Sequence, residues 1–128
     1  MNRFVRLARA VAFLPCIVFA QVQEKIDWSA FLGRHDLVWE ELPKVWHEGA
    51  FIGNGLVGAM IYAESTNGLQ WDINRSDVAD RGSRLQVGRF ELKPAGEGLR
   101  GSMRLDLWNA EARGELRTGL TSIEWRSF

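Results

Sequence analysis

An antiparallel all-β sandwich is the fold this sequence predicts, on three observations. Apolar and polar residues alternate with a period of two over much of residues 36–128. Turn-forming residues interrupt the alternation at intervals of about ten, as in antiparallel β-proteins. Helical periodicity is hard to find beyond residue 30.

Taken in order, Ile26–Leu37 has room for one short helical turn, interrupted by Gly33. Leu37–Glu40 reads as a short strand stopped by Pro43. Gly53-Asn54-Gly55 is a turn, and Leu56–Glu64 is an apolar run expected to be buried on both faces. Ser65-Thr66-Asn67-Gly68 closes a hairpin into Leu69–Ile73, because Asn-Gly supplies the positive φ that a tight reversal needs. Residues 74–80 are expected to form a polar loop. Phe90 and Leu92 then alternate with Arg89, Glu91 and Lys93 until Pro94. Met103, Leu105 and Leu107 oppose Arg104, Asp106 and Trp108. Ala112-Arg113-Gly114 is expected to turn the chain into Glu115–Thr118, and Ile123 and Trp125 mark a last strand. This makes seven or eight strands in one domain, residues 36–128, after a lead-in of 21–35.

Composition narrows the function classes. The chain has 128 residues, 46% hydrophobic and 25% charged, with 16 basic against 16 acidic side chains. That is a globular composition without the basic excess of a nucleic-acid binder. A single cysteine, Cys16, allows neither an internal disulfide nor a paired-cysteine zinc site. No cofactor is expected. The six tryptophans are the unusual feature.

Residues 1–20 read as a signal peptide: Arg3, Arg6 and Arg9, then the apolar run Val11–Phe19, then Ala20 before a cleavage at Gln21. At about ten residues the run is too short for a stable membrane span, which needs about 20, and Pro15 interrupts it. Pro15 also argues against lipidation of Cys16. The expected location is secreted or periplasmic. Loss of the leader removes three cations and no acid, leaving a weakly acidic domain suited to neutral ligands.

Three stretches carry a family resemblance: WHEGAFIGNGLVGAM at Trp46–Met60, LQWDINRSDVADR at Leu69–Arg81, and the strand pairs LDLWNAEARGEL and TSIEWRSF within Met103–Phe128. Together they resemble the N-terminal domain of glycoside hydrolase family 95, the α-L-fucosidase type, or a related N-terminal domain of secreted bacterial glycosidase-like proteins. Asn74-Arg75-Ser76-Asp77 departs from the fucosidase pattern of Asn-Glu-Asp plus Trp, so the resemblance does not name fucose as the sugar. It implies the front of a β-sandwich of the super-sandwich kind, incomplete here, with carbohydrate as the ligand. It also implies a following C-terminal (α/α)6 barrel, absent from this chain, that holds the catalytic carboxylates.

The residues are then weighed one at a time. Asp72, Asp77 and Asp80 offer carboxylates in one stretch, as glycoside hydrolysis requires, but Asp is equally a turn former able to pair with Arg75, Arg81 and Arg84. Their spacing does not match a calcium loop, and His35 and His47 lack a third zinc ligand. Ser76 and Ser83 have no His–acid partners. Trp71, Trp108 and Trp125 fall inside strands and are read as core, whereas Trp46, between polar neighbours, is the candidate for stacking on a sugar. Asn54, between two glycines, offers an amide that both donates to and accepts from hydroxyls, or simply makes a turn. The expected substrate-binding residues are Trp46, Asn54, Asn74 and Asp77. No catalytic or metal-binding residue is expected in the chain. The alternative is a non-catalytic carbohydrate-binding or structural β-domain.

Overall fold

A computed structural model describes residues 25–64 and 67–128; the expected signal peptide and the Ser65-Thr66 half of the expected hairpin turn lie outside them. The chain begins with a short helix, α1 (Trp28–Gly33), whose first turn is capped by Asp27 accepting from the Ala30 amide at 3.0 Å. Eight strands follow among the described residues: β1 (Leu37–Trp39), β2 (Ala50–Gly53), β3 (Val57–Tyr62), β4 (Leu69–Asp80), β5 (Ser83–Leu92), β6 (Arg100–Asp106), β7 (Glu111–Arg117) and β8 (Ser122–Ser127). They form two antiparallel sheets of four, ordered β1-β6-β7-β8 and β2-β3-β4-β5. The chain opens in the first sheet, crosses to the second for a four-strand meander, then returns to finish the first. The all-β sandwich expected from the alternation is what the protein adopts.

Side-chain alternation assigns each strand a core face. In the second sheet a row runs Ala50–Ile61–Trp71–Phe90 across all four strands, flanked by the row Ile52–Ala59–Ile73–Gly88. In the first sheet the rows are Trp39–Met103–Gly114–Trp125 and Gly101–Leu116–Ile123. These faces meet in one cluster that includes Ile61, Leu69, Trp71, Met103, Leu116 and Trp125. Its centre is an edge-to-face contact between Trp71 and Trp125, with centroids 5.4 Å apart and planes at 86°; such pairs contribute about 0.5–1.5 kcal/mol beyond their burial. Asp36 pins the short β1 by accepting from Arg104 Nε at 2.7 Å and from the Leu107 amide at 2.9 Å.

Four local expectations are corrected. Residues 74–80 are not a loop: β4 runs through to Asp80 because β5 pairs with it as far as Ser83. Ala112-Arg113-Gly114 is not a turn but the middle of β7; the reversal is made at residues 107–110, with Ala110 at φ 53°. Trp108 consequently lies outside the strands and is exposed. Finally, β3 is not buried on both faces: Val57 is exposed, and burial is complete only near Ile61 and Tyr62.

Gly114 is the tightest point of the first sheet. A Cβ there would collide with the Ser102 carbonyl oxygen and lie 3.0 Å from both Met103 Cα and Trp125 Cζ2. Gly119, in contrast, has nothing within 4 Å of an added Cβ. Gly114→Ala should therefore destabilise the fold by about 1–3 kcal/mol through overpacking, while Gly119→Ala should stay within about 0.5 kcal/mol of the parent. Urea denaturation midpoints of the two variants check this.

Candidate functional site

The first sheet does not cover the whole core face of the second. Trp71 is 8% exposed beneath Trp125, yet its cross-strand neighbour Phe90 is 55% exposed. Beyond them the row Ile52–Ala59–Ile73–Gly88 is half-buried and has no side chain at its β5 end, since Gly88 stands opposite Ile73. The result is a cleft of about 590 Å³ floored by Ile52, Ala59 and Ile73 and bordered by the rings of Trp71 and Phe90, with the Asn54 turn, Arg126 and the exposed Phe128 at its edge. Trp71 and Phe90 meet edge on, centroids 5.2 Å apart. No Asp or Glu is among the described residues that line it. Aromatic rings over an apolar floor suit the C–H faces of a ring, and the charged side chain in the described lining, Arg126, is paired with Glu111 at 3.3 Å.

Of the four expected binding residues, only Asn54 reaches this cleft. Its amide oxygen accepts from the Leu56 and Val57 amides at 3.1 and 3.0 Å while Gly55 takes φ 90°. The carbonyl half of the side chain therefore builds the turn, and only the NH2 half is left to meet a ligand. Asn74 stands opposite Gly58 and Gln86 on the outer face of the sheet, with Asp72 in alternate position, so it faces away from the cleft floor. Asp77 is held by both oxygens to Arg75, at 3.0 and 2.8 Å, which keeps its carboxyl below the usual range. Trp46 belongs to a 3-10 turn, Trp46–Glu48, that precedes β2, whereas Asn54 follows β2; the strand's length separates them. Trp46 is 62% exposed and touches His47 edge on.

Sequence reasoning missed Phe90 as a cleft wall, because strand alternation marks it simply as core. It also missed the partners of Asp72. This carboxylate, on the outer face of β4, accepts from Tyr62 Oη at 2.6 Å, Gln86 Nε2 at 2.9 Å, and Arg89 Nε and Nη2 at 2.6 and 3.1 Å. Only the Asp72–Arg89 register of β4 and β5 could have signalled the pairing. Burial pushes the Asp72 carboxyl up, but its bonds to Arg89 and Tyr62 outweigh that and hold it below the ordinary value. Burial, together with the bond to Asp72, raises the Tyr62 phenol. With both oxygens occupied by donors, Asp72 clamps β3, β4 and β5 together and is not placed to move protons. Among the described residues no cluster of three His, Cys, Asp or Glu side chains could hold a metal, and no helix is long and apolar enough to cross a membrane.

A carboxyl whose pKa is lower in the folded state stabilises the fold above its unfolded pKa of about 3.9–4.3, and that stability is lost as pH falls through the folded value. Asp72, Asp77 and Asp106 are all lowered, and Glu115 is held down to about 2 by Arg117 and Ser122. The urea midpoint should therefore fall steadily from about pH 4 to pH 2. Asp72→Asn should lower the midpoint at neutral pH and flatten that slope, as urea titrations across the acid range would register.

No protein-family model matches this chain, and neither a curated protein nor a solved structure does.

Proposed function

We propose that the chain is the carbohydrate-binding β-sandwich portion of a secreted glycoside hydrolase-like protein, with hydrolysis carried out by a barrel that is not part of this sequence. The reading rests on the family-95-like stretches together with one observation: Gly53 and Asn54 of the Gly-Asn-Gly turn border a cleft with the rings of Trp71 and Phe90 and with no Asp or Glu among its described lining residues. An apolar, aromatic cleft with an amide at its rim can grip a sugar by stacking and one or two hydrogen bonds.

The alternative, a self-sufficient binding module, needs a row of exposed tryptophans. Trp28, Trp46 and Trp108 are the exposed ones, and they lie on α1, on the 3-10 turn and in the β6–β7 reversal rather than along one strand. That distribution favours the cleft over a platform.

Titration of the protein with neutral oligosaccharides, followed by tryptophan fluorescence, should give a saturable change from Trp71. Phe90→Ala should weaken binding about tenfold, the equivalent of ~1.4 kcal/mol of stacking, whereas Trp46→Ala should leave it unchanged. No aryl glycoside should be hydrolysed by the protein. Binding lost with Trp46→Ala but kept with Phe90→Ala would move the site to the other end of the sheet.

A further inference from the structure

β5 is the outermost strand of its sheet, ten residues long, and nothing among the described residues pairs with its free edge. Edges of this length are blunted by proline, an inward-pointing charge, edge charges or a bulge; residues 83–92 contain no proline, their core-facing positions, Leu85, Gly88, Phe90 and Leu92, carry no charge, and what they do have is a bulge and three outward charges. Leu85 and Phe90 are exposed, at 45% and 55%.

The β4–β5 ladder carries two irregularities: three extra residues on β4, between the Asn74–Gln86 and Ala79–Arg84 pairs, and one extra residue on β5 itself. Ile73 stands opposite Gly88 but Asn74 stands opposite Gln86, so Val87 is an extra residue, a β-bulge. The bulge changes which residues share a face. Without it, Leu85 and Phe90, five positions apart, would point to opposite faces of the sheet. With it they share the core face, while Arg84, Gln86, Arg89 and Glu91 share the outer face.

We propose that β5 pairs antiparallel with β5 of a second copy of this chain, in the register that sets Arg84 opposite Glu91 of the second copy and Leu85 opposite its Phe90. The same register sets Gln86 opposite Arg89 and Val87 opposite Gly88. The Arg84–Glu91, Leu85–Phe90 and Gln86–Arg89 pairs then each share a face, which the bulge alone makes possible. The pairing is isologous, so each contact occurs twice about the two-fold axis. It joins an arginine to a glutamate at both ends and an apolar pair inside them, combinations that stabilise antiparallel ladders. Arg84 makes no ion pair among the described residues, and Glu91, bonded to Lys93 through Oε2 at 2.6 Å, keeps 36% of its side chain exposed. Gln86 donates to Asp72 and to the Gly88 carbonyl, which leaves its amide oxygen to accept from Arg89 of the second copy. Gly88 leaves space for the Val87 side chain opposite it. The product is one continuous sheet of eight strands with β5 at its centre and no long free edge there.

Sedimentation equilibrium on the intact protein, over a range of concentrations, tests this. The wild type should reach twice the monomer mass. Arg84→Glu, on an exposed side chain and with an unchanged circular dichroism spectrum, should raise the dimer dissociation constant at least about tenfold by opposing like charges at both ends. Arg84→Glu combined with Glu91→Arg should restore the wild-type value. A wild type that stays monomeric at its highest soluble concentration overturns the proposal and leaves the edge to a strand of a different protein. A dimer indifferent to Arg84→Glu, or one not restored by the double exchange, overturns the register.

Discussion

Two indoles meeting edge to face across the sandwich set the spacing of the two sheets. Trp71 comes from the centre of β4 and Trp125 from β8, and each is nine-tenths buried by the other's sheet. Trp125 can lie flat enough on its own sheet only because β7 presents Gly114 beneath it. The arrangement leaves the Trp125 indole N–H buried without an acceptor among the described residues, a cost of about 1–3 kcal/mol. Removing a core Trp side chain costs about 3–5 kcal/mol, so packing outweighs the orphaned donor.

From that contact the rest of the second sheet follows by alternation. The same β4 that sends Trp71 inward sends Asp72 outward, one position on. Inward, the strands provide the aromatic wall and apolar floor of the cleft. Outward, Asp72 gathers donors from β3 and β5 and locks the registers that keep the floor flat. Cleft and clamp are thus two faces of one strand. The outer face of the first sheet is held in a comparable way, by Asp106 and Glu111 with Arg113 and Arg126, so each sheet has a charged back and an apolar front.

Much of this was legible in the residues. Strict alternation around Met103 and Trp125 marked β6 and β8, and Asn67-Gly68 marked the β3–β4 reversal. The misreadings share a cause. Asn74–Asp80 and Ala112–Gly114 contain the small and polar residues that turns favour, but Ala112–Gly114 is paired on both sides and Asn74–Asp80 is paired at both of its ends, and pairing prevails over local preference. Trp46 stands out by its ring and its polar neighbours, and Asn74 and Asp77 by their type and their place in the expected loop. Type does not reveal that one stands at the far end of a strand, one on the opposite face, and one is already paired with Arg75.

The sequence by itself determined the class of fold and the faces of most strands, because a period of two is a local property that burial on one side imposes residue by residue. Only the tertiary structure decided which part of an apolar face remains uncovered, which carboxylate finds an arginine, and where a bulge inverts the alternation. Those outcomes depend on strand register and on the unequal reach of two sheets, and both are set by contacts between residues far apart in the chain.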